Sequence, residues 1–263
     1  MKPYLALLRG SYMVGLIYRF GFLFSIAGNI IYMSITYFLW RSIYQNRETL
    51  RGLTFNETYI YVALGSAVFI LLKTYVDWQM SHEIREGTLA VYLTKPIDLQ
   101  LYELCASSGF SLMTLTAITL PTIILMIFVF HIEIPLGIGL AIFPFSLLLA
   151  YLLSFCFDYF VGLLCFYTES VWGISITKEI LITVFSGALI PLQFFPDAIR
   201  SILMWLPFQA IYYTPLTMVA RPNLGWGTFL SMVGVQLFWV IALFGLTRLF
   251  YNQAIKVLRI SGG

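Results

Sequence analysis

Charge is what this chain has least of. Asp, Glu, Lys and Arg make up 10% of its 263 residues, where a soluble domain carries roughly 25%. Hydrophobic residues make up 60% and mean hydropathy is +0.88. Those values exclude a soluble protein with one anchor and imply an integral membrane protein. Histidine is rarer still: His82 and His131 are far apart and fall on opposite membrane sides in the arrangement below, which argues against a clustered intramembrane zinc site. Cys105, Cys156 and Cys165 lie in or beside apolar runs without metal-ligand spacing, favouring buried free thiols. No G-x-x-x-x-G-K-[ST] stretch is present, so the chain has no P-loop nucleotide site. No base accompanies the Ser and Thr residues at membrane depth, so no catalytic set is expected. The 15 basic residues are too scattered for nucleic acid and fit the cation bias of an inner membrane face. With no long polar segment, residues 1–263 read as one membrane domain.

What is present is a series of apolar runs. Leu5, Leu8, Tyr12 and Leu16 recur at helical spacing among Lys2, Arg9 and Arg19, describing an interfacial helix over residues 1–19. The apolar run beyond it reaches Trp40, too long for a cleavable signal. About six transmembrane helices are expected in an all-α fold, near residues 20–43, 58–76, 103–130, within 136–167, 172–195 and 229–250. Asn29, the most polar side chain of the first, suits a bond to a neighbouring helix or a place on a substrate pathway. Pro121 should kink the third. The run from Leu136 to Tyr167 would measure about 48 Å as one helix against about 30 Å of hydrocarbon. It must tilt, project or break, with Pro144 a candidate break. Asp158 within it reads either as an ion or substrate site or as half of a pair with a basic residue near the inner face. Lys178 and Glu179 are expected to snorkel to the interface. Residues 196–220 read as an outer re-entrant or interfacial helical hairpin, with Phe194, Phe195, Trp205, Tyr212 and Tyr213 at headgroup level.

The longest polar interruption is HEIREGTLAVYLTKP, from His82 to Pro96, inside a loop segment 77–101. Its charges cannot sit in hydrocarbon without large cost, so it lies outside the bilayer. Gly87 suits the left-handed position after a helix, and Thr88 can cap a new short one. Leu89, Tyr92 and Leu93 then share a face, and Pro96 ends the turn after Lys95. A short apolar face at a membrane surface fits a partner's groove; it also fits a loop helix resting on headgroups. With this segment and both termini placed in the cytoplasm, ten of the 15 Lys and Arg residues are inside, the direction of the positive-inside rule.

Six spans, an interfacial first helix, EIREGTLAVYLTKPID between spans 2 and 3, FYTES after span 4 and SGALIPLQFFPDAIRSILMWLP after span 5 together resemble an ABC-2-type transporter permease, over essentially the whole chain. The resemblance implies a subunit of an ATP-driven exporter in a membrane of the bacterial inner (plasma) type. Its coupling helix would be the segment carrying Glu83, Arg85, Glu86, Gly87, Thr88, Leu89, Tyr92, Leu93, Lys95 and Pro96. That helix would insert Leu89, Tyr92 and Leu93 into a separate P-loop ATPase subunit that binds ATP and Mg, with Glu83, Arg85 and Glu86 at the rim. A second permease, identical or related, would complete the pathway for a hydrophobic or amphipathic cargo. Motion of the docked helix would pass into spans 2 and 3. An ion-coupled secondary transporter using Asp158 is the alternative.

Overall fold

The computed structural model describes residues 2–17, 19–89, 92, 94, 97–130, 132, 134–168 and 170–256. Helix accounts for 77% of it and sheet for one two-residue pair, so the chain is helical as its composition requires. Among the described residues four helices are long and apolar enough to cross a membrane: Phe20–Ile43, Leu99–Phe130, Ile138–Leu164 and Trp226–Ala254.

Helix α1 (Lys2–Gly15) runs alongside α5 (Leu99–Thr114) in the same direction. The Asp98 amide donates to Tyr4 Oη at 3.2 Å, and Tyr12 Oη meets Thr116 Oγ1 at 3.3 Å. Gly109 makes the approach possible: a Cβ there would lie 2.2 Å from the Leu8 carbonyl oxygen. Elsewhere on α1, Leu5 and Met13 remain exposed. The helix expected along the headgroups is therefore seated on a long apolar helix by one face.

Helix α2 (Arg19–Ile43) leads to a hairpin of β1 (Thr49–Leu50) and β2 (Leu53–Thr54). Arg51 and Gly52, both at positive φ, make its two-residue turn. Thr54 then caps α3 (Phe55–Phe69) in a reciprocal box with Glu57. Nearly all of α3 is buried, against α2 and the short helix α10 (Tyr213–Ala220). It stops at Phe69, short of the expected residue 76. Helix α4 (Val76–Arg85) follows a six-residue link, turn over its first half and irregular over its second.

Helix α5 passes through a π-turn at Leu115–Thr119 into α6 (Leu120–Phe130). The irregularity precedes Pro121, whose ring and missing N–H disturb an ordinary ladder; there Thr119 Oγ1 donates to the Ala67 carbonyl at 3.2 Å. Helix α7 (Ile138–Leu164) is unbroken, with Pro144 inside it. It is about 40 Å long, and of the alternatives of tilting, projecting or breaking, the break at Pro144 is not the one taken. Its first turn needs Gly139, where a Cβ would lie 2.2 Å from the Met218 carbonyl oxygen.

Helix α8 (Trp172–Phe185) stops at Ser186–Gly187, well before the expected residue 195. Gly187 has φ +81, and Tyr61 Oη donates to its carbonyl at 2.8 Å. Helix α9 (Asp197–Leu203) and a 3-10 turn at Pro207–Ala210 lead to α10, all eight residues of which are buried. Tyr212 and Tyr213 are accordingly interior, and of the five aromatics expected at headgroup level Trp205 alone is largely exposed. Helix α11 (Trp226–Ala254) closes the fold against α7. Gln236 ties this end together, donating to the carbonyls of Ala210 (2.8 Å) and Ser146 (3.2 Å) while accepting from Ser146 Oγ (2.8 Å). Such buried amides are common glue between apolar helices.

Two apolar cores result. One joins α2, α3 and α10 to the first half of α7; the other joins α4, Leu89 and α5 to its second half. The three cysteines are free thiols.

Candidate functional site: the docking segment and the charged knot beneath it

The link between α3 and α4 ends on Tyr75, at φ +55 and ψ +17. A bulky residue rarely occupies this left-handed region, and such strain persists only where the surroundings hold it. They do so on both flanks. Before it, Thr74 Oγ1 donates to Asp158 Oδ2 on α7 at 2.6 Å. After it, Asp77 in the first turn of α4 accepts from the Trp78 amide at 3.0 Å and from Lys178 Nζ on α8 at 2.8 Å. Lys178 Nζ also donates to Asp158 Oδ1. One ammonium thus bridges carboxylates from α4 and α7, with Asp77 only 1% exposed at its side chain. Removing one partner of a buried pair leaves a bare charge and costs about 3–5 kcal/mol. Beside this knot Lys73 pairs with Glu179 and lies 4.7 Å from the Phe69 ring centre. Gly162 lets α4 press onto α7, since a Cβ there would lie 2.7 Å from Met80 Sδ.

Tyr75 lies between two spaces. A void of about 50 Å³ touches Lys73, Asp158, Lys178 and Tyr212, with room for a few waters. On its other side a cleft of about 800 Å³ opens between α1 and α5, within the usual range for small-molecule sites. Leu7, Val14 and Phe110 supply apolar walls, and Thr74, Gln79 and Ser107 supply hydrogen-bonding groups.

Asp158 is thus half of an ion pair with a basic residue, one of the two roles its sequence allowed. Both of its oxygens have donors, Oδ2 from Thr74 and Oδ1 from Lys178. Lys178 turns inward instead of snorkelling. Asn29 sits on α2 outside this knot, and its buried Nδ2 lacks a hydrogen-bond partner among the described residues. Sequence reasoning missed Asp77 and the use of Lys178. A signal existed: Asp158 and Lys178 are equidistant from Thr168, so a tight turn there sets them side by side on adjacent helices.

At the far end of α4 the chain turns on Gly87, which takes the left-handed φ of +73 that its position demands. Thr88 Oγ1 donates back to the Glu83 carbonyl at 3.3 Å, and the next described residues, Leu89 and Tyr92, are helical. Arg85, Glu86 and Thr88 face outward. Glu83 does not reach the rim: it is buried, with Oε1 accepting from Gln79 at 3.0 Å and Oε2 unpartnered among the described residues. Burial raises its carboxyl above the usual value, against the Gln79 hydrogen bond and the nearby His82.

Leu89 is 2% exposed, inside the core that holds Val76, Met80 and Tyr159. An apolar side chain gains more from that core than from water, so Leu89 anchors the segment to the rest of the chain. Tyr92 is half-buried, its ring 4.8 Å from that of Tyr102. Leu93, Lys95 and Pro96 lie outside the described residues.

Four membrane-length helices and a chain of this composition fit an integral membrane protein. The family model described as ABC-2 family transporter protein matches residues 30–262. The chain belongs to the ABC-2 family. A search of curated proteins finds no match. As an ABC-2 permease it is an integral membrane protein and the membrane subunit of an ABC transporter, a class that works with ATPase partners and has no ATPase site of its own.

Proposed function

We propose that this permease belongs to an exporter that moves a hydrophobic or amphipathic cargo and is driven by separate ATPase subunits docked on the turn after α4. The observation that carries the reading is the polar ledge of Arg85, Glu86 and Thr88, projecting from the left-handed turn at Gly87 and anchored from behind by Leu89. Charged rim residues of this kind steer and register a partner. The second half of the contact is assigned to the stretch through Leu93, Lys95 and Pro96.

Six crossings fit this reading. The four long helices are joined by α3 and α8, of 15 and 14 residues, each about 22 Å long or less. Both are shorter than the hydrocarbon layer, and we assign the rest of each crossing to the partly buried links at their ends, since irregular backbone is tolerated inside protein. Both termini and the docking turn then face the cytoplasm of a bacterial-type inner membrane. A second permease copy, identical or related, lines the pathway. The apolar cleft between α1 and α5 is of a size to admit a cargo chain from the inner leaflet. ATP and Mg belong to the partner subunits.

Capture of a P-loop ATPase by the solubilised chain tests the proposal. The paired reversal Arg85→Glu with Glu86→Lys should abolish capture while leaving the permease folded. Undiminished capture and transport by that variant would refute the docking site.

A further inference from the structure

We propose that Lys178 is a positioning residue that makes the docking segment move with α7 and α8, while the turn at residues 70–72, ahead of the tie from Thr74 to α7, lets α3 stay behind. The inference rests on the docking reading above and redirects the expected path of motion, from spans 2 and 3 to α7 and α8.

Three observations carry it. First, α3 and α4 are not one rod: a six-residue link separates them, hydrogen-bonded turn as far as Lys73 and then irregular chain ending on the left-handed Tyr75. Second, the two helices belong to different cores. The buried residues of α3 pack with α2, α10 and the first half of α7, whereas Val76, Met80 and Leu89 pack with Phe155, Tyr159 and Leu163 in its second half. Third, Lys178 holds Asp77 of α4 and Asp158 of α7 at once, and Gly162 brings α4 onto α7 directly below. A push on the turn at Gly87 therefore meets a rigid block of α4, α7 and α8, and the joint at residues 70–72 toward α3. Packed elements of this kind move as units about such joints.

The charge count supplies clean variants. One lysine and two aspartates carry a formal charge of −1, so neutralising either aspartate leaves a balanced pair. Asp77→Asn frees α4 while retaining an acceptor for the Trp78 amide. Asp158→Asn keeps Lys178 on Asp77 and frees α7.

The test uses the full chain in lipid nanodiscs, with its three cysteines replaced by alanine and spin labels introduced in pairs. The pair at Trp78 on α4 and Ile180 on α8 should give one narrow distance. Asp77→Asn should broaden that distribution at least twofold, and Asp158→Asn should leave it narrow. General loosening of the fold would broaden both. An unchanged distribution in Asp77→Asn, or equal broadening in the two variants, overturns the proposal without reference to any partner. With the captured ATPase, ATP and vanadate should then shift the distance from Asn56 on α3 to Trp78 and leave Trp78 to Ile180 constant; the reverse pattern also overturns it. Failure of the unmodified chain to capture an ATPase would count against the docking reading alone, because the first measurement judges the tie by itself.

Discussion

Thr74 donates its hydroxyl to Asp158 across 84 positions of sequence, at 2.6 Å. The bond fixes the end of the α3–α4 link to the second half of α7. Thr74→Val keeps the shape and removes the donor. The buried acceptor is then left with one partner, at a cost of about 1–3 kcal/mol. The measurement is the thermal unfolding midpoint in detergent. Thr74→Ser should recover most of the loss, and a midpoint unmoved by valine would show that the bond contributes nothing.

Glu83 gives the stability a pH dependence. Its carboxyl is raised by burial, so the native chain holds a proton at pH values where the unfolded chain has released it. The corresponding stability is full below the unfolded value of about 4.5 and is lost as pH rises through the native value. Glu83→Gln cannot titrate and retains the acceptor for Gln79. Its advantage over the parent should be smallest at acid pH and grow toward neutrality in unfolding scans. A constant difference across that range would contradict the assignment.

Arg51 holds φ +51 in a two-residue hairpin turn followed by Gly52. Asn-Gly is the favoured pair for this geometry. Arg51→Asn should therefore stabilise the hairpin by about 0.5–1 kcal/mol. The substitution gives up an exposed ion pair with Asp197, 3.9 Å away, and exposed pairs contribute little. Slower amide exchange over residues 49–54 would confirm the gain.

Gly109→Ala should lift α1 from α5 without unfolding the remainder. The obstacle is the Leu8 carbonyl, which is backbone and cannot swing aside as a side chain would. Overpacking of this kind costs about 1–3 kcal/mol. Hydrogen exchange should rise across residues 2–15 and stay unchanged in α7. Protection retained in α1 would mean that the contact is looser than the distance implies.

Composition and run lengths were enough to read the helical membrane class, and Gly87 was legible because a polar helix followed by glycine has few alternatives. The reciprocal cap of Thr54 and Glu57 is written just as plainly in T-F-N-E. Span ends were harder. Apolar residues continue past Phe69 and Phe185, so hydropathy does not register that the backbone unwinds there. Leu89 shows the limit at the docking turn: helical spacing identifies an apolar face but not whether that face looks toward a partner or back into the chain. The knot of Asp77, Asp158 and Lys178 joins three helices, and only the pair flanking the Thr168 turn leaves a trace in local spacing.

The seating of α1 on α5 bears on how the chain is made. The helix emerges before its seat, since the surface that receives it extends to Thr116 and is synthesised roughly 100 residues later. At about 5–20 residues per second that is a delay on the order of ten seconds. Throughout it Tyr4, Leu8 and Tyr12 have no groove to occupy, and nascent α1 must wait until Leu99–Phe130, the second of the four membrane-length helices, has been made.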